Sequence, residues 1–324
     1  MRVLVVGAGA TGGYFGGRLL QHGRDVTFLV RAARADVLAS DGLILRSVHG
    51  DVQLSNPPTV QADQLGETYD LILLTCKAYG LDQAMHDITP AVGTRTAILP
   101  LLNGMRHLDL LDQRFGAQHV LGGQCVIAAT LASDGSVQHL NQSHSLAFGE
   151  RDGSTTARMK QISDSFADVG FDARASTAIV QDMWDKWVFL ASLAGITCLM
   201  RASVGDIVAA AGGEAAVLSL LEECRAVASG AGHAPDQKTI ERARGVLTEA
   251  GSSLAASMLR DLQQGHPIEA DHVIGDMLAR AVGQGCDSSL LALVYAHLKA
   301  YEIVRAKMPL HGWSQGAQAL SSAP

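Results

Sequence analysis

Arg2-Val3-Leu4-Val5-Val6-Gly7-Ala8-Gly9-Ala10-Thr11-Gly12 is the stretch that decides how the first half of this chain folds. A short apolar strand runs directly into G-x-G-x-x-G. Thr11–His22 then continues with helical character, and a second strand pattern follows at Asp25–Val30. In such a turn each glycine has its own physical job. The first permits the tight turn, the second lets the backbone approach a pyrophosphate, and the third lets the helix pack close to the strand. The helix start, with Ala10 and Thr11 between Gly9 and Gly12, offers unpaired N–H groups and a positive dipole end to phosphates. Glycine is plentiful here, 34 of 324 residues, so the triplet takes its weight from the strand and helix around it.

The tip of the second strand bears on the cofactor. An NAD site usually presents Asp or Glu about 20 residues past the glycines. Here the strand ends in Val30-Arg31, with Arg34 one helical turn on and no acid at the tip. A carboxylate would repel a 2′-phosphate, whereas a guanidinium can hold it bidentately. Position therefore favours NADPH over NADH, against the alternative that both arginines are solvated surface charges.

Length admits two cores, so two domains are expected. The formal charge of −7, without a basic run, argues against a nucleic-acid partner. Cys76, Cys125, Cys198, Cys224 and Cys286 are scattered with no C-x-x-C, which suggests reduced, buried thiols in a cytoplasmic protein. No cationic leader and cleavage site are read at the N-terminus. The longest apolar stretch, Trp187–Met200, has 14 residues, short of the ~20 that a membrane span requires. No membrane partner is expected.

The first half alternates strand and helix patterns, the signature of a doubly wound α/β sheet. Asp70–Thr75 and Thr96–Leu101 are continuous apolar runs suited to parallel strands buried on both faces. Gly42–Val48 and Asp51–Leu54 read as a hairpin insertion. Val126–Leu131, Val137–Leu140 and Ser145–Phe148 read as an antiparallel meander, with a turn at Ser133-Asp134-Gly135. Beyond Thr177 strand signals almost vanish. Helices are expected over Gln181–Leu199, Ser203–Ala210, Glu214–Gly230, Pro235–Glu249, Ser252–Gln264, Asp271–Gln284 and Ser288–Lys307, with a frayed tail at Gln315–Pro324. Residues 1–177 are thus read as a Rossmann-type nucleotide-binding domain and 178–324 as an all-helical domain.

Lys77 and Asn103 fall just past the two buried runs, where open α/β sheets bind ligands. Each is equally readable as a loop residue. In the helical half, Lys186 lies near the start of an almost wholly apolar helix, where the dipole disfavours a cation. It is either a surface lysine paired with Asp182 or a general acid. Glu269 and Asp271 open a later helix, Asp271 suiting an N-cap and Glu269 a ligand contact. The histidines read as background, with His139 and His144 flanking a turn, and no metal site is expected.

The ordered motifs Gly7–Gly13 with Arg31, Leu74-Thr75-Cys76-Lys77-Ala78, Leu102-Asn103-Gly104, Trp184-Asp185-Lys186, Ser257-Met258-Leu259-Arg260-Asp261 and Ile268-Glu269-Ala270-Asp271 resemble the ketopantoate reductase (2-dehydropantoate 2-reductase) family over roughly residues 1–307. The resemblance implies NADPH dependence, a Rossmann-type domain and a helical domain like that of 6-phosphogluconate dehydrogenase. It implies that Gly7, Gly9 and Gly12 cradle the pyrophosphate, that Arg31 binds the 2′-phosphate, and that Lys77 and Asn103 lie near cofactor and substrate. Lys186 would be the general acid. Glu269 would bind substrate hydroxyl and nicotinamide ribose, and Ser257 the substrate carboxylate. A monomer or a homodimer is compatible with it.

Two departures stand beside the resemblance. Where the family carries asparagines one and two turns after its lysine, this chain has Leu190 and Ala194, and Asn103-Gly104 is followed by Met105-Arg106. Loss of two amides would cost about 1–3 kcal/mol each if substrate groups stayed unpaired, and Leu190 suits a more apolar acid. Arg106 is either a compensating carboxylate contact or a surface charge. Three readings are open: ketopantoate reduction in pantothenate biosynthesis, reduction of another, more apolar 2-oxo acid, and a catalytically idle NADP-binding sensor.

Overall fold

The computed structural model describes residues 1–307, so the tail Gln315–Pro324 lies outside the described residues. Contacts divide the chain into two units, Met1–Met183 and the part from Trp184 onward. The division falls inside a helix, six residues after the 177/178 boundary read from sequence.

The first unit runs β1 (Arg2–Val6), α1 (Ala10–Gln21), β2 (Asp25–Leu29), α2 (Ala32–Ser40), β3 (Leu43–Arg46), β4 (Val52–Leu54), β5 (Thr59–Val60), β6 (Leu71–Leu74), α3 (Leu81–Ile88), β7 (Ala97–Pro100), α4 (Arg106–Phe115), β8 (Gly122–Leu131), β9 (Val137–Gly149), α5 (Ala157–Ser165) and β10 (Asp172–Ala175). Among the described residues, one all-parallel sheet has the order β5-β2-β1-β6-β7. Every residue of β6 and β7 is buried, which explains why these strands are continuous apolar runs. A second sheet has the order β10-β9-β3-β4, with β8 on β9. The predicted hairpin is β3–β4, paired Leu43↔Leu54, and it belongs to this second sheet.

Helix α1 joins the two layers. Its Tyr14, Phe15 and Leu19 share one core with Val3 and Phe28 of the parallel sheet and with Leu45 and Val137 of the other. A Cβ on Gly16 would sit 2.6 Å from Phe28 Cε1, and one on Gly13 would sit 2.8 Å from Val137 Cγ2. Interior glycines cost a helix about 1 kcal/mol each relative to alanine. Here they let it approach a sheet on either side.

The expected three-strand meander is corrected to a two-strand hairpin. β9 continues unbroken through Asn141-Gln142-Ser143-His144, a polar segment without strand alternation. A register irregularity between Ile127 and Ala129 leaves the Ala128 N–H unpaired by the ladder, and the Asn141 side chain accepts it at 3.2 Å. Residues 140–143 have no ladder partners on β8 and bulge opposite Ala128, between the paired stretches 137–139 and 144–149.

His139 and His144 therefore share one strand, and His49 joins them. His49 and His144 stack at 3.7 Å between centroids, and His139 lies 5.8 Å from His144. Tyr14 Oη pairs with His144 Nδ1 at 2.7 Å, and Ser47 Oγ with His139 Nδ1 at 3.0 Å. The Arg18 guanidinium sits over the Tyr14 ring.

In the second part of the chain, α6 (Ile179–Met200) is followed by α7 (Val204–Ala209), α8 (Gly213–Gly230), α9 (Gln237–Leu247), α10 (Ser257–Gln263), a π turn at Asp271–Gly275, α11 (Asp276–Gln284) and α12 (Ser289–Lys307). α6 is longer than its apolar core suggested. By length and composition it could cross a membrane, but 67% of its apolar window is buried in the protein, as in a core helix. Its Ser192 and Thr197 hydroxyls donate to Val188 O and Leu193 O, so they enter the core already satisfied. Three helix starts are corrected. α9 is capped by Asp236, which accepts from Thr239 N at 2.7 Å, so Pro235 precedes the cap. α10 begins at Ser257 rather than Ser252. Asp271 lies within the π turn, its carboxylate accepting from Tyr295 Oη and Lys299 Nζ, and the N-cap position falls to Ala270.

Burial first, then His49, hold the His144 pKa below its ordinary 6.5, opposed by Asp172 and aided by His139 and Arg18. The folded state therefore resists a proton that the unfolded chain accepts. Stability is full above about pH 6.5 and falls as pH drops through that value. Melting temperature should fall between about pH 7 and about pH 5, and the fall should be smaller in His144→Gln. Parallel melting curves for the two proteins would contradict this.

Candidate functional site

The order β5-β2-β1-β6-β7 reverses between β1 and β6, and ligands of open α/β sheets bind beyond the carboxyl ends of the strands at that point. The glycine loop leaves β1 there. Gly7 has φ +95° and donates its N–H to Leu29 O at 2.9 Å. Gly9 is the N-cap of α1, and a Cβ on it would meet nothing within 4 Å. Gly12 is the opposite case: its Cβ would fall 2.1 Å from Gly7 O and 2.3 Å from Thr75 Oγ1. Thr75, just past β6, donates its hydroxyl to Val6 O at 2.7 Å. The loop is open on its outer face and closed on its inner one. Ala10 and Thr11 form the first helical turn above it.

A cavity of about 700 Å³ lies on the open side, lined by Gly7, Ala8, Gly9, Arg31, Arg34 and Lys77 among others. Arg31 is exposed and is the N-cap residue of α2. Arg34 is half-buried and braces two segments. Its Nε donates to Ala8 O at 3.0 Å and its Nη1 to Gly135 O at 2.9 Å. Its buried Nη2 has no hydrogen-bond partner among the described residues, and burial holds the guanidinium pKa below its ordinary value. The open Gly9, the jammed Gly12 and this unsatisfied donor fit a dinucleotide phosphate. The charge of the cavity is mixed, since Asp63 and Asp87 line it too.

Lys77 is exposed in the loop after β6. Cys76 also lines the cavity, and Cys286 is half-buried, so two of the five cysteines are not core residues as expected. Cys198 and Cys224 are core thiols, pushed up to about 12 by burial. Asn103 is half-buried beyond β7 and is not among the residues lining the cavity. Arg106 is exposed on the first residue of α4. Among the described residues no group of three His, Cys, Asp or Glu is arranged to hold a metal ion.

In the second unit Lys186 is half-buried on α6, seven residues past its first residue Ile179. That is two turns in, beyond the end of the helix where the dipole acts most strongly, which removes the penalty expected from a later start. Asp182, the partner considered for it, binds Arg174 at 2.8 Å and Ser176 Oγ at 2.6 Å. Leu190 is half-buried and Ala194 is buried, one and two turns on along the face of Lys186. Glu269, 8% exposed, immediately precedes the helical turns that lead into α11, and its carbonyl accepts from Val273 N at 3.0 Å. Ser257 is exposed at the start of α10.

Arg34 was legible only as a partner of Arg31; that it holds the glycine loop itself depends on the β8–β9 turn, far away in sequence. Trp187 carried no functional signal in the sequence, yet its indole N–H makes a buried bond to Val273 O at 2.9 Å.

A parallel sheet, a glycine loop at its switch point and a cavity above it define a Rossmann-type dinucleotide-binding protein. Residues 3–153 match the family described as ketopantoate reductase PanE/ApbA, and residues 178–302 match its C-terminal domain. The uncharacterized oxidoreductase YkpB of Bacillus subtilis is 36% identical over 302 residues, 93% of this chain and 99% of that protein. The 2-dehydropantoate 2-reductase of Mesorhizobium japonicum is 25% identical, over 85% of this chain and 89% of its own. The crystal structure of 2-dehydropantoate 2-reductase from Methylococcus capsulatus superposes with a TM-score of 0.84 at 25% identity, covering 95% of this chain and 99% of that one. The chain belongs to the ketopantoate reductase family, and is an oxidoreductase acting on CH–OH groups with a nicotinamide cofactor.

Proposed function

We propose that this protein uses NADPH to reduce 2-dehydropantoate to pantoate, the reductive step of pantothenate biosynthesis, with Lys186 as general acid. The observation that carries the cofactor reading is Arg31 on the cavity beside the glycine loop, with no acid at the tip of β2. A guanidinium there suits a 2′-phosphate. Gly7, Gly9 and Gly12, with the N–H groups of Ala10 and Thr11, would hold the pyrophosphate. Lys77 and Asn103 would flank the nicotinamide end.

The bound nicotinamide supplies the hydride that the 2-oxo carbon accepts. As that carbon is reduced, charge grows on its oxygen. The ammonium of Lys186 can stabilise this charge and deliver the proton that completes the alcohol, effects together worth roughly 10²–10⁴ in rate. Glu269 would accept a hydrogen bond from the substrate hydroxyl and the nicotinamide ribose. Ser257, exposed at a helix start, would meet the substrate carboxylate.

A second reading, another 2-oxo acid with a more apolar side chain, is favoured by Leu190 and Ala194. Both present hydrocarbon on the face of α6 that carries Lys186, where an amide-bearing substrate contact is absent. NADPH oxidation with 2-dehydropantoate and a panel of 2-oxo acids separates the two by which acid turns over fastest. NADPH binding without turnover on any acid would select an idle sensor instead. In either enzymatic case Lys186→Ala should lower kcat at least about 10²-fold. Full activity in that variant would remove Lys186 from the mechanism.

Arg31→Ala should weaken NADPH binding about tenfold or more while leaving NADH nearly unchanged, because only NADPH carries the phosphate that the guanidinium would hold. Titrations of both cofactors measure this. Equal losses for the two would remove the 2′-phosphate assignment.

A further inference from the structure

Lys186 and Glu269 are 83 residues apart in the chain. The segments that carry them are fastened by Trp187. This residue follows Lys186 directly and is 1% exposed, the largest fully buried side chain among the described residues. Its Nε1–H donates to Val273 O at 2.9 Å, deep in the second unit. Val273 lies in the π turn Asp271–Gly275, and its own N–H donates to Glu269 O at 3.0 Å. One hydrogen bond thus separates the backbone next to Lys186 from the turn that fixes Glu269.

The turn itself is unusual. A π turn widens the helix by one residue and recurs at functional sites. It runs without a break into α11, where Arg280 places its guanidinium 5.6 Å from the ring centroids of both Trp184 and Trp187. Asp276 holds that guanidinium by Nε at 3.2 Å. Trp187 is therefore held by both the π turn and Arg280 of α11, and Trp184 packs against the same guanidinium. A buried indole N–H needs an acceptor, and Val273 O in the turn supplies it.

We propose that Trp187 is a positioning residue for the reduction: its N–H bond to Val273 O sets the register of Lys186 against Glu269. The proposal rests on Lys186 and Glu269 acting as described under the proposed function. It adds a constraint that neither residue supplies, since precise placement of an acid demands support from packed neighbours.

The test replaces Trp187 by benzothienylalanine, which keeps the shape of the ring and removes the donor, with Trp187→Phe and Lys186→Ala in parallel. Steady-state kinetics use 2-dehydropantoate, or the panel acid that turns over fastest, and melting curves report folding. The isostere should melt near the native temperature, with kcat about tenfold lower and KM for NADPH unchanged. A native kcat in the isostere, or a loss confined to KM or to melting temperature, would make Trp187 a packing residue and overturn the proposal. Lys186→Ala keeps the two failures apart. If it is inactive while the isostere is native, only the positioning role falls. If it is fully active, the reading of Lys186 falls first.

Discussion

Everything in the first unit depends on how closely α1 starts against the end of β1. The Gly12 position leaves no room for a Cβ, with Gly7 O at 2.1 Å and Thr75 Oγ1 at 2.3 Å. That contact sets the start of the helix beside the loop that lines the cavity at Gly7, Ala8 and Gly9. Farther along the same helix, Gly13 and Gly16 repeat the device against the two sheets. The closed glycine loop and the close packing of α1 on both sheets meet one geometric demand: a helix packed closer than side chains allow.

Much of this was legible because it is local. The strand, the glycines and the strand after them lie within 30 residues, and periodicity with turn chemistry suffices to read them. What was not legible depends on pairing at a distance. The polar run Asn141–His144 carries no strand alternation. Its residues 141–143 bulge from the ladder opposite Ala128, whose N–H the Asn141 side chain accepts across the hairpin. The three histidines looked like background for the same reason, since His49 reaches His144 only once β9 is continuous beside the turn after β3. Arg34 could be grouped with Arg31 by spacing, but its hold on Ala8 O and Gly135 O joins residues 8, 34 and 135.

In the second unit the sequence displayed the unusual residues without their supports. Lys186 stood out as a cation in an apolar helix, and Glu269 as an acid before one. The helix begins earlier than its apolar pattern suggests, so Lys186 sits deeper in it and Asp182 is engaged with Arg174 and Ser176. Leu190 and Ala194 then give that helix face a hydrocarbon character. Membership of the family fixes the type of reaction, while the proposed choice between 2-oxo acids turns on these two positions.

The central claim is that the inner face of the glycine loop, closed at Gly12, builds the dinucleotide site. Titrating NADPH into Gly12→Ala beside the native chain tests it most directly. The variant should retain helical circular dichroism and bind NADPH at least about tenfold more weakly, because Gly7 and Thr75 must move to admit a methyl group. Native affinity in Gly12→Ala would contradict it.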